Sequence, residues 1–149
     1  TREHPHRFDR FTYRLWWAIV PLSMLQILLG TQVRQYVDRQ SKVLGMEARE
    51  FWLQNPDIVF YVHRSFSIVL LLLHLWAAYR VYSMRLGFEK VNASLMVLFG
   101  LVLSGIAMNY FAFPLGSQAL HLFLAAVLFG FQWYALMEFK RASQTGISS

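Results

Sequence analysis

Cysteine is missing from the sequence altogether. Disulfides, iron–sulfur clusters and thiolate metal centres are therefore excluded. Charge is scarce too. Only 15% of the 149 residues are charged, where a soluble domain carries about a quarter. Hydrophobic residues make up 56% and aromatics 17%. No signal-peptide pattern precedes the first apolar run. The chain begins at Thr1 rather than Met, as expected of a processed product or of one piece of a longer protein. A net charge of +6 invites a nucleic-acid reading. The basic residues, however, fall between apolar runs and form no patch, so membrane topology explains them and no nucleic-acid partner is expected. The composition predicts a membrane protein in contact with lipid.

Four apolar runs organise the chain. Residues 1–14 carry Arg2, Arg7, Arg10 and Arg14 with His4, His6, Phe8 and Phe11, the composition of an interfacial lead-in. His4 and His6 form an H-x-H pair that could bind a metal. No third ligand lies nearby, so contact with head groups is the default. The predicted spans are about 15–34, 58–82, 91–111 and 117–139, within a transmembrane bundle at 15–142. Trp16 and Trp17 mark the interface at the start of the first. Residues 35–56 are expected to form a mixed loop with a short surface helix at Met46–Leu53. Asn55-Pro56-Asp57 is a helix-start signal. The connection around Gly87 and the Pro114 turn are short. Residues 143–149 are expected to form a polar, disordered tail.

Four spans put both termini on one side. That side holds nine basic residues (Arg2, Arg7, Arg10, Arg14, Arg80, Arg85, Lys90, Lys140 and Arg141). The other holds five (Arg34, Arg39, Lys42, Arg49 and Arg64), diluted by acids. The positive-inside rule then places both termini in the cytoplasm. Short connections favour an all-α, up-down four-helix bundle.

Three histidines fall within spans: His63, His74 and His121. An ionisable side chain in the bilayer is costly and marks a candidate site. His63 and His121 each lie ~8–9 Å below the same end of parallel spans, at ~1.5 Å rise per residue. Two imidazoles at one depth can be the axial ligands of a heme iron. Ser67 and Ala125 follow each histidine by four residues, on the same face, and are small enough for a porphyrin edge. Gly30 and Gly105 fall near the same depth on the other two spans, where glycine lets a flat ligand approach the backbone. Arg34 and Arg64 at the rim can pair with heme propionates.

Other readings stand beside this one. Two histidines can hydrogen-bond across helices with no cofactor. Gly30 and Gly105 can be close-packing residues, and Arg64 can snorkel to the interface. His74 lies eleven residues, about three turns, below His63. Its counterpart level on the fourth span is Gln132, so a single heme is expected and His74 becomes an interior hydrogen-bonding group. Met24 and Met108 are possible soft ligands, although methionine in a span is usually packing.

The ordered set of residues resembles the heme A synthase family, and specifically one of its two four-helix halves. The matching pieces are Leu25-Gln26-Ile27-Leu28-Leu29-Gly30-Thr31-Gln32-Val33-Arg34, His63-Arg64, Gly105-Ile106, Pro114, His121, and Ala125 with Leu128-Phe129. They cover all four spans, and the first loop is similar to versions from Bacteroidetes bacteria. The resemblance implies heme held between paired histidines, with heme O oxidised to heme A in one half and heme b held in the other. The family's substrate half has a glutamate shortly before its first histidine, where this chain has Phe60, and often a loop cysteine pair, which this chain lacks. The chain therefore resembles the C-terminal, heme b half. It would support oxidation of a heme methyl, with catalysis by this chain alone not expected. Its partner would be an N-terminal-like half, fused or separate, or subunits of a respiratory complex. A b-type cytochrome anchor exchanging electrons with quinone, and a heme-free structural subunit, are the alternatives.

Overall fold

A computed structural model describes residues 8–145. The pair His4 and His6, with Arg2 and Arg7, lies outside the described residues, as do residues 146–149. Four α-helices run through the rest: α1 (Arg10–Leu44), α2 (Ile58–Ser83), α3 (Glu89–Tyr110) and α4 (Ser117–Thr145). All four are long and apolar enough to cross a membrane. A 3₁₀ turn at Met46–Phe51 follows α1. Each helix packs on its two neighbours in the ring α1–α2–α3–α4, and the diagonals stay apart. Short connections make neighbours antiparallel, the arrangement of an up-down bundle.

Two sequence expectations change. Residues 35–44 are helix, not loop. Nothing in Gln35–Leu44 breaks a helix, Val37 is buried, and Arg34 pairs with Asp38 one turn on (3.8 Å). α1 ends only at Gly45, whose φ of +83° is one that side chains rarely tolerate. At the other end, α4 continues through Ser143 to Thr145, where a disordered tail was expected.

Helical periodicity places the core. The buried positions are Thr12, Trp16, Ile19, Val20 and Ser23 on α1, and Leu70, His74, Ala77, Ala78 and Val81 on α2. On α3 they are Val91, Ser94, Leu98 and Leu101; on α4, Leu128, Gln132, Ala135, Leu136, Phe139 and Ala142. Steps of three and four give one inward stripe per helix. Apart from Val37 near the far end of α1, these residues lie in the middle of the bundle and in its half nearest the termini. There Phe88 stacks on Phe139 with ring centroids 3.8 Å apart, and Trp16, Ile19 and Val91 are fully buried. At the opposite end a separate small cluster of Val37, Trp52 and Phe113, with Met108 against it, caps the bundle.

One ion pair fixes the start of α1. The Asp9 carboxylate caps the helix by accepting from the Thr12 amide (2.8 Å), and accepts from Arg80 of α2 (2.9 Å). Arg80 also donates to the Thr12 hydroxyl (3.1 Å) and lies over the Phe11 ring. Partial burial raises the Asp9 pKa. The hydrogen bonds from Thr12 and Arg80, with the Arg80 charge, outweigh that and hold the carboxyl below its ordinary value.

Candidate functional site

The inward stripes do not stop where the dense core stops. Continued in steps of three and four, they reach Gln26 and Gly30 on α1, and Ser67 and His63 on α2. On α3 they reach Ser104 and Gly105, and on α4 Ala125 and His121. Every one of these eight is half-buried, and none is fully covered by its neighbours. The interior at this level is thus set by two imidazoles and small or amide side chains, between the aliphatic core and the Val37–Trp52–Phe113 cap.

Each imidazole rests on a glycine of the preceding helix. A Cβ built on Gly30 would lie 3.1 Å from His63 Cε1; one built on Gly105 would lie 3.7 Å from His121 Cε1. The room expected beside these glycines is therefore taken by the histidine rings. Each ring also interacts with the backbone carbonyl one turn before its glycine, Gln26 for His63 and Leu101 for His121. The hairpin α1–α2 and the hairpin α3–α4 thus repeat one device, an imidazole of the second helix seated on a glycine of the first.

The three histidines differ in how their ring nitrogens are used. In His74 both are engaged. Nδ1 is 2.8 Å from the Leu70 carbonyl, and Nε2 is 2.9 Å from Gln132 Nε2. A carbonyl only accepts, so Nδ1 carries the proton and Nε2 accepts from the amide. Gln132 also donates to Ser23 Oγ (2.8 Å), and Trp16 Nε1 donates to the Gln132 carbonyl (2.8 Å). His74 is buried, with no nitrogen left for a metal. In His121 one nitrogen is engaged: Nδ1 lies 2.7 Å from Ser104 Oγ. In His63, Nδ1 is buried with no hydrogen-bond partner. Such an atom in a native interior asks for an explanation.

Of the other candidates, Ser67 donates its hydroxyl to the Arg64 carbonyl (2.6 Å) and faces the site at half burial. Arg34 and Arg64 are exposed at the rim, Arg34 in its pair with Asp38. Met108 packs against the cap and Met24 is exposed at 46%; neither joins the histidines. An open cleft of about 220 Å³ lies between α1 and the start of α2, lined by Val33, Tyr36, Arg39, Asp57 and Phe60. Arg39 is paired with Asp57 there, and the cleft does not include either histidine. Among the described residues no cluster of three or more His, Asp or Glu side chains could hold a bare metal ion. Two imidazoles suffice for an iron whose other four ligands come from a porphyrin. The two half-buried imidazoles on facing hairpins and the buried, unpartnered Nδ1 of His63 fit such a group. Ser104 and Gln26 are the site residues that spacing had not singled out. Both fall on the continued stripes, which was the available signal.

Comparison with known families settles the lineage. The family model of COX15-CtaA, described as cytochrome oxidase assembly protein, matches residues 3–133. The chain belongs to that family, the heme A synthase family. No curated protein and no solved structure matches the chain. The match covers all of α1 to α3 and α4 through Trp133, including both histidine–glycine pairs. This heme A synthase family member is a multi-pass membrane protein with a role in cytochrome oxidase assembly and heme A synthesis.

Proposed function

We propose that this chain is a bis-histidine, heme b-holding four-helix half of a heme A synthase. The observation that carries the reading is the level where His63 and His121 point into a bundle interior otherwise set by Gly30, Gly105, Ser67 and Ala125. His63 and His121 would hold the heme iron. Arg34 and Arg64, on the rim within one turn of Gly30 and beside His63, would neutralise the propionates. Ser67 and Ala125 would leave room along the ring edges. When bound, the heme supplies one-electron chemistry. The chain's part would be to hold the iron through His63 and His121, exclude water beneath the Val37–Trp52–Phe113 cap, and fix the depth of the group in the membrane. Phe60 near the head of α2 puts no acid beside His63, which favours the heme b half over the half that oxidises heme O. A second four-helix half, fused or separate, would then complete the enzyme. By the basic-residue count, both termini face the cytoplasm of a bacterial inner membrane.

Extraction and chromatographic identification of the heme from the purified chain tests this assignment. Heme b is expected. Recovery of heme O or heme A would reverse it and make this the substrate half.

A further inference from the structure

Ser104 Oγ lies between two groups: the Leu101 carbonyl at 2.8 Å and His121 Nδ1 at 2.7 Å. A serine hydroxyl has one proton. The carbonyl cannot donate, so both contacts are satisfied together only when the hydroxyl donates to Leu101 and His121 Nδ1–H donates to the hydroxyl. That fixes the tautomer of His121 and leaves Nε2 as its free lone pair. It also sets His121 in a hydrogen-bonded chain that ends on the backbone of α3. His63 has no such chain. Its Nδ1 is buried with no hydrogen-bond partner, and the ring is held by packing on Gly30 beside the Gln26 carbonyl, with no side chain bonded to it.

Taking the proposed heme site as given, we infer that Ser104 is the positioning residue for His121, and that the two ligands are graded: His121 anchors the iron and His63 is the exchangeable ligand. A ligating imidazole whose other N–H is hydrogen-bonded is held in orientation and is the more basic donor. One without such a bond is held less firmly and is the weaker donor. The same asymmetry predicts a side to the site. An added small ligand should enter on the α1–α2 side, where His63 gives way, and not on the α3–α4 side.

The test uses the full chain in detergent, loaded with iron protoporphyrin IX. Midpoint potential, heme retention on gel filtration and carbon monoxide binding to the reduced form are read in wild type, Ser104→Ala, Ser104→Thr, His63→Ala and His121→Ala. Loss of the hydrogen bond makes His121 a weaker donor. Ser104→Ala should therefore shift the potential positive and release heme about tenfold faster, and Ser104→Thr should restore both. His63→Ala should keep its heme, five-coordinate and binding carbon monoxide, whereas His121→Ala should lose most of it. Equal retention in the two histidine variants, or an unmoved potential in Ser104→Ala, would overturn the grading. The potential of Ser104→Ala decides the matter even if His121→Ala fails to fold. A wild-type chain without low-spin heme would sink the heme reading itself along with this inference. A low-spin wild type with an unmoved Ser104→Ala would sink the inference only.

Discussion

The His63 imidazole fills the room that Gly30 leaves on α1, so tightly that a Cβ at Gly30 would lie 3.1 Å from its Cε1. Glycine here is a seat for a side chain of the neighbouring helix. Gly105 and His121 repeat the arrangement more loosely, at 3.7 Å.

The difference makes a prediction about alanine. At Gly30 the added methyl must push the ring or spread α1 from α2, an overpacking that costs about 1–3 kcal/mol. At Gly105 the added methyl makes ordinary contact. Gly30→Ala is expected to weaken heme retention and lower the melting temperature in detergent, and Gly105→Ala to do so much less. Equal effects would show that the seats are not sterically distinct.

The buried chain Ser23–Gln132–His74 gives a second prediction. Gln132→Leu leaves His74 Nε2 and the Ser23 hydroxyl without their partner, which costs about 1–3 kcal/mol. Removing both ends together removes the orphan. The double variant His74→Leu/Gln132→Leu is therefore expected to be less destabilised than the sum of the single variants. Thermal unfolding of the four proteins checks this, and the heme spectrum should be unchanged in all of them. Strict additivity would mean the two side chains are not coupled.

The Asp9–Arg80 pair predicts an acid sensitivity. The folded Asp9 carboxyl titrates below its unfolded value, near 3.9. Its contribution is therefore present above that value and is lost as the pH falls through the lower, folded one. Melting temperature followed downward from pH 5 should fall more steeply in wild type than in Asp9→Asn, which has no carboxylate to protonate. Parallel curves would remove Asp9 from the account.

Membrane orientation is open to the same treatment. Nine basic residues at the end that carries the termini, against five at the other, predict cytoplasmic termini. A C-terminal reporter active only in the cytoplasm should be active, and one active only outside should be silent. The reverse pattern would invert the topology.

Much of this was legible in the sequence because the bundle is a periodic object. The steps of three and four that bury Trp16, His74 and Phe139 also align His63 with Ser67 and His121 with Ala125. Counting turns from His63 was enough to match His74 with Gln132, and the two are hydrogen-bonded. The far end of α1 was less legible. Its charged residues read as loop, yet charges spaced as Arg34 and Asp38 are also what an exposed helix carries. Ser104 had no signature at all. A hydroxyl beside a glycine is common, and its meaning comes from a histidine on another helix. Nor could shared depth tell that imidazoles, rather than a ligand, would rest on Gly30 and Gly105. That depends on how closely the helices approach.

A reduced-minus-oxidised absorption spectrum of the purified chain, wild type against His63→Ala and His121→Ala, tests the paired-histidine site most directly. A low-spin b-type spectrum in wild type, lost as a low-spin species in both variants, is the expected result. A colourless wild type, or a low-spin spectrum that survives either substitution unchanged, would contradict the paired-histidine site.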